Sequence, residues 1–209
     1  MILKKLNKNN INLIVSDKDE CGRYPFYVSV SINNIEMARL IIEYANENNI
    51  ILNINDKNVC KTSPFQIAVG KNNIEMAKLI INYAIKNNII LNINDKDEEE
   101  WYPLLFACCN NNIDMVQLII DYANENNITL IINDINVNRW YPLLYAIRNN
   151  NIEMVRLIIY YAIKNKIKLN IYDEDIYGQY LSLNDIDNNY ISRLISDYYS
   201  FSGIIIIIK

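Results

Sequence analysis

The sequence predicts a mainly α-helical solenoid of stacked helix–turn–helix units with protruding hairpins or loops. Three observations predict it. The segment NNIEMARLIIEYA, Asn33 to Ala45, returns as NNIEMAKLIINYA from Asn72, NNIDMVQLIIDYA from Asn111 and NNIEMVRLIIYYA from Asn150, a step of 39 residues each time. Pro25, Pro64, Pro103 and Pro142 keep that step, as do Asp17, Asp56, Asp95, Asp134 and Asp173. Within each copy the apolar residues follow a helical period. A fixed period between about 20 and 50 residues marks an array in which each unit buries its apolar face against its neighbours. The expected division is a partial N-terminal repeat (1–16), four repeats (17–55, 56–94, 95–133 and 134–172), and a degenerate C-terminal repeat with an apolar tail (173–209).

The second unit, Asp56 to Asn94, stands for all. Ser63 is a candidate cap, and Pro64 suits the first position of a helix, where its missing N–H is not needed. PFQIAVG then reads as a short first helix with Phe65, Ala68 and Val69 on one side. Gly70, Lys71 and Asn72 are expected to form the turn. Asn73 is an N-cap, with Glu75 favourably placed near the positive helix end. Met76, Leu79, Ile80, Tyr83 and Ala84 follow i, i+3, i+4, i+7, i+8, the stripe of an amphipathic helix. Lys78 and Asn82 fall on the other face. Asn87 and Asn88 suit a left-handed C-terminal cap. The remainder alternates β-branched and polar residues and reads as an extended arm with a turn.

This arrangement resembles the ankyrin repeat. The matching pieces are SPFQIAV (Ser63 to Val69), YPLLFAC (Tyr102 to Cys108) and YPLLYAI (Tyr141 to Ile147) for the first helix, and IEMAKLII (Ile74 to Ile81) for the second. The likeness covers Asp17 to Tyr172 and weakens on both sides. It departs in period, 39 residues here against about 33 in the family. The family's His is replaced by Tyr27, Gln66, Leu105 and Leu144, and its Thr by Tyr24, Ser63, Tyr102 and Tyr141. Those residues make hydrogen bonds between units in the family, so the replacements put that network in question and leave more of the work to apolar packing. Helical-pair repeats of other kinds, with periods of about 34 to 47 residues, are the alternative. The proline position and aspartate period favour ankyrin.

The ends read as degenerate units. Lys8 to Glu20 looks like the tail of a further repeat, with its second helix reduced to MILKKL. Leu194, Ile195 and Tyr198 mirror Leu157, Ile158 and Tyr161 with two residues lost. Neither end offers a clean polar cap of the kind solenoid ends need. The expectation is a piece of a longer array or a degenerate end of one.

Composition narrows the function classes. The chain has 209 residues, net charge −4, 51% hydrophobic residues and no histidine. An acidic balance argues against non-specific nucleic-acid binding, which needs a basic stripe. Without His the commonest general base and zinc ligand are missing. Four glycines (Gly22, Gly70, Gly178 and Gly203) form no phosphate-cradling loop. An aspartate that recurs with the repeat is architectural before it is catalytic. Cys21, Cys60, Cys108 and Cys109 include no CxxC pair. Cys21 and Cys60 sit one repeat apart, beyond usual disulfide reach, so free thiols are expected. No signal-peptide core or membrane-spanning run is visible. These readings point to a non-enzymatic intracellular protein, cytoplasmic or nuclear, with no cofactor, metal, nucleic-acid, membrane or small-molecule partner.

What the ankyrin resemblance implies is protein–protein interaction through a concave groove and hairpin tips. The alternative is a structural spacer in a larger multidomain protein. The groove-side position two residues before each proline holds Arg23, Thr62, Trp101 and Trp140. Two tryptophans one repeat apart would make an aromatic ladder, and Trp and Arg are enriched at binding hot spots. Equally, each Trp could pack on its neighbouring hairpin. Lys71, Asn110 and Arg148, at the ends of first helices, complete the candidate set. They vary between units while core positions do not. The acidic run DKDEEEW, Asp95 to Trp101, reads as a solvated tip or as a contact for a basic partner segment.

Overall fold

The computed structural model describes residues 15–170 and 189–201. Among these residues the chain forms nine helices and no strand. They are α1 (Pro25–Ser31), α2 (Ile35–Glu47), α3 (Pro64–Gly70), α4 (Ile74–Lys86), α5 (Pro103–Cys109), α6 (Ile113–Glu125), α7 (Pro142–Arg148), α8 (Ile152–Lys164) and α9 (Asn189–Phe201). Each pair is a seven-residue helix followed by one of 13 residues. The chain divides into two compact units, Met1–Glu98 and Glu99–Lys209. In the first, α1 packs on α2 and α3, while α4 packs on α2 and α3. In the second, α5 packs on α6 and α7, and α8 packs on α6, α7 and α9. The division falls inside the hairpin of the third repeat, and the repeat boundaries themselves are sequence assignments.

Local chemistry accounts for the helix limits. Asn34, Asn73, Asn112 and Asn151 each accept a hydrogen bond from the backbone N–H three residues on, at 2.9–3.0 Å. These caps satisfy N–H groups that have no partner within the helix. Ser63 caps α3 through Gln66 N–H at 3.3 Å. The turns inside the pairs rest on Asn33, Asn72, Asn111 and Asn150, at φ 58, 56, 53 and 51°, a region Asn tolerates better than most residues. Gly70 is not part of the turn, as the sequence suggested. It is the last residue of α3, and Lys71 and Asn72 make the turn. At the other end, Asn88 is left-handed at φ 55°, and the Asn87 amide donates to Tyr83 O at 2.9 Å.

The buried stripe of α4 is wider than the sequence pattern suggested. Met76, Ala77, Ile80, Ile81, Tyr83 and Ala84 are buried, while Leu79 is half-buried. A helix flanked by neighbours on two sides needs more than one apolar row. The expected extended arms are turns and loops.

Other residues make hydrogen bonds between repeats. Tyr83 Oη accepts from Leu52 N–H at 2.8 Å, Tyr161 Oη from Leu130 N–H at 2.8 Å, and Tyr198 Oη from Leu169 N–H at 3.2 Å. Asn55 donates to Ile90 O and accepts from Asn92 N–H, at 2.7 and 3.1 Å. Asn133 makes the same pair with Lys168 O and Asn170 N–H, at 2.6 and 3.0 Å. Of the tyrosines in the family's Thr place, Tyr102 donates to Asp134 O of the next repeat at 2.8 Å, while Tyr24 donates within its own repeat to Asn53 O at 2.6 Å. Burial raises both phenols well above the usual tyrosine range. The periodic aspartates hold the preceding unit: Lys18 pairs with Asp56 and Lys57 with Asp95, at 2.7 and 2.8 Å. At their partial exposure each pair contributes about 0–1 kcal/mol.

Ile195 and Tyr198 of α9 are buried, as expected from Ile158 and Tyr161. Ser192 and Ser196 occupy the places of Val155 and Ile159. The suggested MILKKL helix and the apolar tail lie outside the described residues.

Candidate functional site

The candidate residues two before each proline are positioned by one small loop. In the second repeat, Asn58 N–H donates to Thr62 O, and Asn58 Oδ1 accepts from Thr62 N–H, at 3.0 and 2.9 Å. Asp19 and Arg23 make the same two bonds, at 2.9 and 2.8 Å. Asn136 and Trp140 do so at 3.0 and 2.9 Å. Such side-chain closure is why Asp and Asn favour turns. The residue before the site position is left-handed every time: Gly22, Lys61, Glu100 and Arg139, at φ 74, 60, 63 and 62°. Successive tips are tied by backbone bonds, Val59 N–H to Cys21 O at 3.0 Å and Val137 N–H to Glu99 O at 3.2 Å. A frame of such bonds therefore presents Arg23, Thr62 and Trp140 from equivalent places.

In the Met1–Glu98 unit these side chains are polar and already engaged. Arg23 donates from Nε to Asp19 Oδ2 at 2.8 Å, and the two form an exposed ion pair. Backbone hydrogen bonding from Arg23 holds the Asp19 carboxyl below its ordinary range. Thr62 Oγ1 donates to Asn58 Oδ1 at 2.7 Å and shares a 2.9 Å bond with the Tyr27 hydroxyl. Lys71 is exposed at the C-cap of α3 and joins neither group.

In the Glu99–Lys209 unit the same position builds an aromatic stack. Trp101 lies on Phe106 with centroids 4.7 Å apart and planes at 20°. Its other neighbour is Tyr145, at 6.0 Å. Tyr145 in turn stacks on Trp140 at 4.6 Å and 25°. The Arg148 guanidinium lies 5.8 Å from the Trp140 ring. Both tryptophans, Phe106 and Tyr145 are half-buried, and Arg148 is exposed. Of the candidates, Trp101, Trp140 and Arg148 are thus brought together, and Asn110 is the C-cap residue of α5. Burial, followed by a hydrogen bond with Cys109, pushes the Tyr145 phenol up.

Phe106 and Tyr145 were missed in the sequence, although a signal was present. The position three after each proline reads Val28, Ile67, Phe106 and Tyr145. It turns aromatic in the two units that carry Trp. The predicted ladder of two rings is a four-ring stack with Tyr145 between the tryptophans.

Little here favours reaction chemistry. Cys21 and Cys60 are exposed free thiols, and Cys108 is buried. Burial raises the Cys108 thiol well above its usual range, which keeps it protonated and unreactive. Among the described residues no group of three His, Cys, Asp or Glu is placed to hold a metal ion. None of the described helices is long and apolar enough to cross a membrane.

Comparison with known proteins agrees with this architecture. Residues 84–173 match the family described as ankyrin repeats (3 copies). Among solved structures, an ankyrin repeat domain from Acinetobacter baumannii AYE superposes with a TM-score of 0.64 at 17% identity, covering 98% of this chain and 94% of that one. No curated protein matches the chain. The fold is that of an ankyrin repeat protein, an α-solenoid of helix pairs. Such repeats are generally protein-interaction modules and typically not enzymes.

Proposed function

We infer that this protein is a non-catalytic interaction scaffold. It binds another protein through the concave groove and the tip loops, with the Trp101–Tyr145–Trp140–Arg148 surface as the main contact. One observation carries this reading. Two half-exposed tryptophans and an arginine are held in one rigid stack at positions where the other two repeats place Arg23 and Thr62. Ring edges and an exposed guanidinium give an apolar ridge with a charged end. Such a surface loses little freedom on binding because it is ordered beforehand. Its site is intracellular, and its partner is a folded protein or peptide, not nucleic acid, a membrane or a small molecule. The fold by itself names no partner.

A second reading has its own support. The broad faces of the tryptophans already meet Phe106, Tyr145 and Arg148, as expected if the stack only stiffens a spacer within a larger protein. Affinity capture with the wild-type chain and with Trp101→Ala/Trp140→Ala, at equal helicity by circular dichroism, separates the two. A partner that is captured by wild type, rebinds as a purified protein and is lost in the double variant supports the scaffold. Equal capture by both chains, or none by either, leaves the spacer.

A further inference from the structure

The Glu99–Lys209 unit is divided in charge. Residues 99–133 carry five carboxylates (Glu99, Glu100, Asp114, Asp121 and Glu125) and no Lys or Arg, whereas residues 134–170 carry six basic side chains and two acidic ones. The division is sharpest on the exposed faces of α6 and α8. These helices pack on each other, and Lys164 Nζ donates to Asn124 Oδ1 at 3.2 Å near their C-terminal ends. Spacings of four, seven and eight residues put Gln117, Asp121, Asn124 and Glu125 on one stripe of α6, and Arg156, Tyr160, Ile163 and Lys164 on the same stripe of α8. Gln117 is half-buried and the other seven are exposed, with Tyr160 at 67% and Ile163 at 42%. The Arg156 guanidinium is engaged by α9, 5.2 Å from the Tyr190 ring. The Met1–Glu98 unit repeats the alternation, with Asn46 and Glu47 on α2 and Ile85 and Lys86 on α4. There too the isoleucine beside the lysine is exposed, at 54%.

We propose that the exposed faces of α6 and α8 form a self-complementary surface through which two copies of this chain pair. With a twofold axis parallel to the two helices, α6 of one copy lies on α8 of the other at the same level. Glu125 then meets the second copy's Lys164, Asp121 meets its Tyr160 hydroxyl, and Asn124 meets its Ile163. Each contact occurs twice, as in any isologous pair. Charge selects this arrangement, because a twofold axis across the helices would set α6 on α6 and α8 on α8, like charge on like. It also selects the occupant. A separate acidic protein would match α8 and leave Asp121 and Glu125 facing like charge, and a basic one the reverse. A second copy matches both halves. Tyr160, the most exposed large apolar side chain among the described residues, gives the contact an apolar centre. Exposed ion pairs add little affinity each, so the pair is weak and sensitive to salt. The surface shares no residue with the aromatic stack.

The full-length chain provides the test, by sedimentation velocity at low salt. The samples are wild type, Lys164→Glu, Glu125→Lys, an equimolar mixture of those two variants, and Tyr160→Ala, each at wild-type helicity by circular dichroism. Wild type is expected to form dimers reversibly, about tenfold more weakly in 1 M salt. Each charge reversal alone, and Tyr160→Ala, should weaken self-association about tenfold. The mixture should restore it, because in a mixed pair both 125–164 contacts again join opposite charges. Restoration by mixing two chains cannot arise from a contact inside one chain. A wild type that stays monomeric, association that survives either reversal, or a mixture that stays apart overturns the proposal. So does a monomeric wild type that binds an oligo-aspartate peptide and loses it in Lys164→Glu, which would give the face to a separate acidic partner.

Discussion

The Met1–Glu98 and Glu99–Lys209 units use one backbone frame for two kinds of surface. In both, an Asp or Asn side chain closes the tip loop, a left-handed residue follows, and the next side chain is presented. In the first unit that side chain enters a local polar network, Arg23 with Asp19 and Thr62 with Tyr27 and Asn58. In the second it joins a ring stack reaching from Phe106 to Trp140. The comparison teaches that caps, core stripe and inter-repeat ties carry stability in both units. The position before the tyrosine or serine that opens each first helix is left open to vary. The exposed surface can change there without disturbing the fold.

If the frame is shared, equivalent core truncations should cost the same in both units. Ile80→Ala and Ile158→Ala each remove a side chain at most 2% exposed. Each should lower stability by about 2–5 kcal/mol, measured by urea unfolding. A difference of several kcal/mol between them would break the comparison. Next in size are Tyr83→Phe and Tyr161→Phe, which leave the Leu52 and Leu130 N–H groups buried without an acceptor. Each should cost about 1–3 kcal/mol, again equally.

A sharper contrast comes from double-mutant cycles at the surface position. The Trp140–Tyr145 pair should show a coupling of about 0.5–1.5 kcal/mol that persists in 1 M salt. The exposed Arg23–Asp19 pair should couple weakly at low salt and not measurably at 1 M, because solvent ions screen it. Salt-sensitive coupling at the ring pair would contradict the stacking account.

The smallest expected effect is that of pH near neutrality. With no histidine in the chain, thermal stability should be nearly flat between about pH 5.5 and 8.5. Towards pH 10 and above it should fall. Tyr24 and Tyr102 have folded values raised by burial above the ordinary 10.0. Their contribution is therefore complete below pH 10 and is lost as pH climbs from there towards the folded values. On the acid side Asp19 is lowered from 3.8, so its contribution is present above that pH and fades below it. Melting temperature against pH checks all three regions.

Much of the fold was legible because its determinants are local. Asn73 as N-cap, Pro64 at the first helical position and the Ile80–Ala84 stripe depend on neighbours within a few residues. Other features depend on how far one unit is displaced from the next, which a period in sequence does not reveal. The Tyr83–Leu52 bond and the Asn55 pair on Ile90 and Asn92 belong to that group. Asn55 bonds across repeats, and no local pattern in the sequence marks it. Trp101 and Trp140 were legible as unusual residues at a repeated position, whereas Tyr145 between them was hidden within a first helix. Gly70 misled because glycine often breaks helices, while here Asn72 makes the left-handed turn.

The most direct test of the central claim is amide hydrogen exchange on the wild-type chain, alone and saturated with a captured and purified partner. The account predicts slowed exchange in segments 97–110 and 136–149, which carry the aromatic stack, and little change in 19–31 and 58–70. Protection confined to the latter pair, or to the exposed faces of the second helices, would contradict it.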